Sequence, residues 1–166
     1  MTDHLKNFLS RDDVKEFIRD KKWIEVYSYL YELTMELDNS DLYSEFLALM
    51  YDCGIDIFDQ LKNRLPNQMF YGWSKDSRFN VINIPEGIEE IGAEAFCMSE
   101  TIKQIYLPTT LKYIGFGAFA YSDIKEIHYP GTSEEWDKIK LGGSIFEDHQ
   151  QPLKLYIDGS KSVIDL

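Results

Sequence analysis

The chain of 166 residues is long enough for one domain or two small ones, which excludes a large multidomain enzyme. Apolar residues make up 44% of it, and the 3 Trp, 11 Tyr and 10 Phe can fill a packed core, which excludes disorder as the main state. The formal charge of −12 repels phosphates and anionic lipid headgroups, so we expect no direct nucleic-acid binding and no membrane binding.

The cysteines and the N-terminal residues indicate the compartment. Cys53 and Cys97 match no metal-binding or redox spacing, and they predict neither a disulfide framework nor a zinc site. Residues 1–13 are polar and acidic, unlike a secretory signal, and no apolar run approaches the roughly 18 residues of a membrane span. These features predict a soluble cytoplasmic protein.

Residues 1–66 show helical periodicity and predict a helical domain of antiparallel neighbours. Ser10 and Asp13 fit the N-cap and the third position of a first helix. Apolar residues recur every three or four positions over 23–37 and predict a second helix. A third helix is predicted to end at Gly54, since glycine readily adopts the left-handed conformation just past a helix. A short fourth helix is predicted to carry Phe58, Leu61 and Leu65.

Beyond a connector over residues 67–78, the sequence repeats. Segments 84–96 and 107–119 align at a period of 23 residues, with coinciding Pro, Ile/Leu, Ile, Gly, Ala and Phe. The approach to the proline recurs a third time before Pro130. Such a period is typical of a solenoid, in which each unit adds a strand to a ladder and stacks on the next. We expect the glycine to serve an unusual backbone angle and the phenylalanine to fill the interior.

These units resemble the leucine-rich-repeat variant of BspA-like proteins, which reads Ile-Pro-x-x-Ile-x-x-Ile-Gly-x-x-Ala-Phe, over about residues 79–159. The segment 129–139 is similar to the Tyr-x-Gly-Thr-x-x-x-Trp-x-x-Ile ending common in that family, and Thr132 with Glu135 predicts a capping box. The expected fold is α+β, an N-terminal helical bundle capping a short BspA-type β-solenoid. Its expected domains are 1–66 and 79–166. The resemblance implies a recognition scaffold.

Strand geometry predicts which side chains of the repeat face outward. Residues just before each proline alternate inward and outward, so equivalent positions should stack into rows. One predicted outward row is Asn83, Tyr106 and His128, and a second contains Val81, Gln104 and Glu126. A mixed polar and aromatic surface on a rigid sheet favours protein contact. The alternative is a merely solvated strand face.

A second candidate surface is acidic. Residues 23–61 contain nine Asp or Glu and no Lys or Arg, and we single out Glu25, Glu32, Glu36 and Asp41. On helix surfaces these carboxylates would steer a basic partner, or imitate nucleic acid toward a protein that binds it. The alternative is a solubilising helical face.

The histidines show no metal-ligand spacing, and no nucleophile, phosphate-loop or dinucleotide motif occurs, so we expect no enzymatic activity, no cofactor and no metal. The favoured hypothesis is a cytoplasmic module that binds an unidentified partner protein. A second hypothesis is an inhibitor, of the kind phages and mobile elements deploy, that blocks a host nucleic-acid-binding defence protein by acidic mimicry. A third is a structural component that forms homo-oligomers.

Overall fold

The computed structural model describes residues 3–23, 25–30, 41–73, 77–147, 153–158 and 160–163. The chain forms two compact units, Met1–Leu61 and Lys62–Leu166. The first unit is helical and the second is a β-solenoid. No helix in the described part of the chain is long and apolar enough to cross a membrane.

The first unit consists of short helices that bury one apolar side each. Its described helices are α1 (Asp3–Ser10), α2 (Asp12–Arg19) and α3 (Asp41–Asp52), residues 25–30 are also helical, and a 3-10 turn covers Phe58–Gln60. Helix α1 contacts both α2 and α3. The buried residues include Leu5, Phe8, Val14, Leu30 and Phe46, each no more than 1% exposed. These positions follow the three-to-four spacing that places side chains on one face of a helix.

Two helix predictions in this region are wrong. Ser10 does not begin a helix: it ends α1, and its hydroxyl donates to the carbonyl of Asn7 at 2.7 Å. The predicted fourth helix is only the 3-10 turn, and Leu65 lies in a strand, because its fully buried side chain belongs to the solenoid core. The prediction for Gly54 is confirmed, since its φ is +71° just beyond α3.

The solenoid carries two sheets, and successive strands along the chain, apart from the last one, alternate between them, so that each coil adds one strand to each sheet. The strands are β1 (Arg64–Leu65), β2 (Val81–Asn83), β3 (Glu90–Ile91), β4 (Gln104–Tyr106), β5 (Tyr113–Ile114), β6 (Glu126–Tyr129), β7 (Lys140–Leu141), β8 (Lys154–Ile157) and β9 (Ser160–Val163). A four-stranded sheet has the order β1-β3-β5-β7, and a five-stranded sheet has the order β2-β4-β6-β8-β9. All pairs are parallel except β8 with β9, which is antiparallel. The sequence therefore predicts the solenoid correctly.

A third side of the coil consists of turns whose amides also bond to the next coil, such as Phe96 N to Ala118 O at 2.8 Å. Inside these turns, phenylalanine rings stack from coil to coil. The ring of Phe96 lies 5.0 Å from that of Phe70 and 5.6 Å from that of Phe119, with nearly parallel planes. The coil that contains Phe70 begins at Arg64. The solenoid therefore starts before residue 79, where the sequence pattern predicts the start of the repeat.

The repeat glycines Gly92 and Gly115 provide space for close packing of successive coils. Neither has a positive φ. A Cβ at Gly115 would overlap the backbone of Gly92 and Ala93 in the preceding coil. The left-handed residues come two positions later, at Glu94 (φ 54°) and Gly117 (φ 61°). The prediction that this glycine serves an unusual backbone angle is therefore wrong, because close backbone approach excludes a side chain there.

The end of the repeat is marked by a short helix, α4 (Ser133–Trp136). Thr132 Oγ1 accepts from the Glu135 amide at 3.3 Å, and the Glu135 carboxylate accepts from the Thr132 amide at 2.8 Å. These two bonds confirm the predicted capping box. Trp136 packs edge-to-face on Tyr129 at 5.5 Å, which ties the helix to the end of β6.

Glu86 links two coils through its carboxylate, which accepts from Thr109 N at 2.9 Å, Thr109 Oγ1 at 3.0 Å and Thr110 N at 3.3 Å. Partial desolvation opposes its ionisation, but these hydrogen bonds outweigh it and lower the pKa of Glu86 from its ordinary value of 4.5. The unfolded chain binds the proton more readily than the folded one. The stabilisation is therefore present above about pH 4.5 and is lost as the pH falls through the folded pKa.

We expect Glu86→Gln to lower the free energy of unfolding at pH 7 by about 1 kcal/mol or less, since the carboxylate is exposed. The difference from the wild type should shrink as the pH falls below about 4.5. Urea unfolding at pH 7, 5 and 3 measures it. Glu100→Gln, at another exposed carboxylate, is the control for the loss of one negative charge. A Glu86→Gln difference that stays constant from pH 7 to pH 3 would contradict this assignment.

Candidate functional site

The outer face of the five-stranded sheet presents side chains in regular rows. Its register pairs Asn83 with Tyr106, Tyr106 with His128, and His128 with Tyr156. Because side chains alternate along a strand, Ile105, which precedes Tyr106 on β4, points inward and is fully buried. The four partners thus form one outward row that crosses four strands.

Three aromatic rings in this row form a stacked ladder. The Tyr106 and His128 rings are 4.3 Å apart with an interplanar angle of 8°, and the His128 and Tyr156 rings are 4.6 Å apart at 4°. Both faces of the imidazole are therefore covered by phenol rings. We call Tyr106, His128 and Tyr156 the ring ladder. Mutual stacking fixes the ring orientations before any ligand arrives.

A second row lies beside the ring ladder, in which Val81 is followed in register by the polar residues Gln104, Glu126 and Lys154, which we call the polar row. Gln104 Nε2 donates to Glu126 Oε2 at 2.8 Å. His128 Nε2 lies 3.2 Å from the same carboxylate oxygen, which connects the two rows. This arrangement holds Glu126, and it reduces the freedom that the imidazole would otherwise lose on binding.

The geometry determines what the ring ladder can offer a ligand. Stacking occupies the faces between neighbouring rings, so a ligand meets ring edges and the polar atoms that the rings carry. Tyr106 is 39% exposed, while His128 and Tyr156 are half-buried. Phenol hydroxyls both donate and accept hydrogen bonds, and imidazole does so in its neutral form. The surface suits a partner with backbone or side-chain polar groups next to small apolar areas.

A model of the family described as the BspA type leucine-rich repeat region matches six copies of its repeat across residues 55–151. This match covers more than half of the chain. The chain belongs to the BspA-type leucine-rich-repeat family.

No curated protein matches the chain, and no solved structure matches it. Leucine-rich repeats of the BspA type generally act as non-enzymatic scaffolds for protein–protein interaction, and the solenoid described here is consistent with that role.

The BspA-type solenoid brings together the predicted residues of the sheet. Asn83, Tyr106 and His128 lie in one row, and Gln104 and Glu126 lie in the next. Sequence reasoning missed that the rows extend to Tyr156 and Lys154. The alternation of apolar and polar residues over 153–157 could have predicted this strand. The strand follows α4, however, and its spacing from β6 therefore departs from the repeat period.

The predicted acidic surface lies in the helical unit of this BspA-type protein. Glu25 is exposed on the helical residues 25–30. Glu32 and Glu36 fall outside the described residues. Asp41 begins α3, but its side chain also falls outside the described part. The acidic surface therefore remains a prediction from the sequence.

The buried cysteine of the BspA-type solenoid, Cys97, lies in surroundings that keep its thiol protonated. Burial raises the pKa of the Cys97 thiol to about 11, and the nearby Glu94 carboxylate adds to the effect, so the thiol stays protonated at neutral pH. In the described ranges, no three His, Cys, Asp or Glu side chains lie close enough together to hold a metal ion.

Proposed function

We propose that this protein is a non-enzymatic interaction module that binds a partner protein through the outer face of the five-stranded sheet, centred on the ring ladder. The observation that carries the proposal is the stacking of Tyr106, His128 and Tyr156 at 4.3 and 4.6 Å. Aromatic residues with few rotatable bonds dominate binding energy in many protein interfaces.

Preorganisation supports this choice of surface. A side chain that is ordered only on binding costs about 0.5 to 1.5 kcal/mol in lost rotamer freedom. The ring ladder is already ordered by its own stacking, and the bond from Gln104 to Glu126 orders the neighbouring polar row. The parallel backbone ladder underneath keeps the rows at fixed spacing. A partner would meet a surface that needs little rearrangement.

The test is affinity capture of the tagged full chain from lysate of its source cell, with the bound proteins identified by mass spectrometry. We expect the double substitution Tyr106→Ala with His128→Ala to reduce capture of the main partner about tenfold or more, since two central interface residues are removed. Tyr121→Ala is the matched control, because Tyr121 is 47% exposed and lies in a turn outside the five-stranded sheet. Circular dichroism and urea unfolding check that each variant is folded.

Equal capture by the double variant and the wild type would reject the ring ladder as the binding surface. Loss with Tyr121→Ala instead would place the contact on the turn side of the solenoid. Recovery of the protein alone, together with concentration-dependent light scattering, would favour a self-assembling component.

The acidic helical segment supports a second candidate function, the inhibition of a nucleic-acid-binding protein by mimicry. Its basis is the run of nine carboxylates without a Lys or Arg over residues 23–61. Capture that survives loss of the ring ladder, but falls at high salt and on reversal of Glu25, Glu32, Glu36 and Asp41, would favour it. Capture that is insensitive to salt and to these reversals would reject it.

A further inference from the structure

The solenoid has an open groove of about 490 Å³ on the side of the four-stranded sheet. The register of that sheet places Glu90, Tyr113 and Lys140 side by side on β3, β5 and β7, and all three line the groove. Glu135 of α4 and Lys138, which follows α4, form the opposite part of the lining. A groove of this volume is large enough for a ligand of several residues or a drug-sized molecule.

The carboxylates that line this groove already have partners. Glu135 accepts the Thr132 amide in the capping box at 2.8 Å. Glu90 Oε2 lies 3.7 Å from Arg64 Nε, at the side of the groove that faces β1. Both carboxylates are held in place by these contacts and keep their negative charge, so the groove lining carries both signs of charge.

Two of the three lining lysines have no close ion pair within the described residues. Lys112 Nζ lies 2.7 Å from Glu89 Oε1. Lys138 and Lys140 are both exposed, and neither has a carboxylate within 4.0 Å in the described part of the chain. The pKa of Glu134 is lowered mainly by hydrogen bonds from its own amide and from the Thr132 side chain, and the Lys138 ammonium adds a smaller attraction. In a protein with a formal charge of −12, a groove lined by three lysines and two glutamates is a local exception.

The floor of the groove adds apolar surface to this charge. Tyr113 is half-buried, and Leu111 beneath it is 4% exposed. The Tyr113 hydroxyl occupies the space that a side chain at position 142 would need, so Gly142 allows the phenol ring to lie against the last coil. Lysine ammonium groups bind carboxylates as point charges, while the ring and the leucine offer contact to aliphatic chain segments.

We propose that this groove, which we call the lysine groove, binds an acidic peptide segment of a partner protein. Lys138 and Lys140 supply the ammonium groups, and Tyr113 with Leu111 supplies the apolar contact. A peptide matches both features, since its carboxylates alternate with carbon atoms of its side chains and backbone. The inference does not depend on the ring ladder, which belongs to the other sheet.

The experiment is a titration of the ¹⁵N-labelled full chain with a terminally blocked hexaglutamate peptide, followed by amide chemical shifts at low ionic strength. We expect shifts concentrated at residues 111–114 and 138–142. The double substitution Lys138→Gln with Lys140→Gln should weaken binding about fivefold or more, since it removes two exposed ion pairs. Lys125→Gln is the control, because Lys125 is also exposed but precedes β6 of the other sheet.

Several outcomes would overturn the proposal. These are an absence of localised shifts at millimolar peptide, shifts that persist unchanged in the Lys138 and Lys140 double variant, and equal weakening by Lys125→Gln. Inorganic phosphate is titrated in parallel, and phosphate binding as tight as peptide binding would show an ion site instead of a peptide groove. The Tyr106 and His128 double variant should bind hexaglutamate as the wild type does, so failure of the ring-ladder proposal and failure of this one are separable.

Discussion

Phe96→Ala should lower the free energy of unfolding of the solenoid by about 3 to 5 kcal/mol, the usual cost of removing a buried phenylalanine ring. Phe96 is fully buried and stands between the rings of Phe70 and Phe119. Its removal leaves a cavity at the centre of the ring stack, and the coils cannot close over it while their backbone ladders remain intact. Urea unfolding followed by fluorescence measures the effect, with Trp73, which is fully buried in the same unit, as one reporter.

Phe116→Ala is the matched control for this substitution. Phe116 belongs to the same coil side but is 46% exposed, so we expect a loss below about 1 kcal/mol. Similar losses for the two variants would mean that the ring stack is not the centre of the core. Phe96→Leu should restore part of the stability, because it refills most of the cavity volume.

Gly115→Ala should destabilise the solenoid by about 3 kcal/mol or more, at the upper end of the range for overpacking. The added methyl group would overlap backbone atoms of Gly92 and Ala93. Backbone atoms, unlike those of a side chain, cannot move away by a change of rotamer. The coils must then move apart, which strains the bond from Gly115 N to Ile91 O, now 2.8 Å. We expect a clearly lower urea midpoint than in the wild type, measured under the same conditions.

Gly87→Ala separates close packing from backbone conformation. Gly87 has a φ of +98°, and nothing lies within 4 Å of a Cβ placed there. Its replacement should therefore cost only the conformational penalty, about 1 to 2 kcal/mol. If Gly115→Ala were as mild as Gly87→Ala, the repeat glycine would not be required for coil spacing.

Both surfaces proposed for binding depend on the same property of a solenoid, which is that equivalent residues of successive coils lie side by side. On the five-stranded sheet, this stacking builds an aromatic row from Tyr106, His128 and Tyr156. On the four-stranded sheet, it places Tyr113 beside Lys140. The two surfaces differ in chemistry, so the two proposals assign them different kinds of ligand.

Local sequence pattern determined the repeat architecture. The recurrence of Ile-Pro, Ile-Gly and Ala-Phe fixes where each coil turns, and the alternation before each proline fixes which side chains point inward. Ile82, Ile105 and Ile127 are accordingly buried in register. The capping box of Thr132 and Glu135 was also readable, because its two bonds span only three residues.

The tertiary structure decided everything that depends on which coils meet. Leu65 continues the helical spacing of Phe58 and Leu61 in the sequence, yet pairing with the next coil and burial make it part of a strand. The role of Gly115 depends on the backbone of residues 92–93, and the place of Tyr156 beside His128 depends on a connection that interrupts the period. The lysine groove forms only where residues next to α4 and β5 come together. A sequence pattern specifies whether each side chain points into or out of its own coil. The residue that the side chain contacts in the next coil is set by how the two coils pack together.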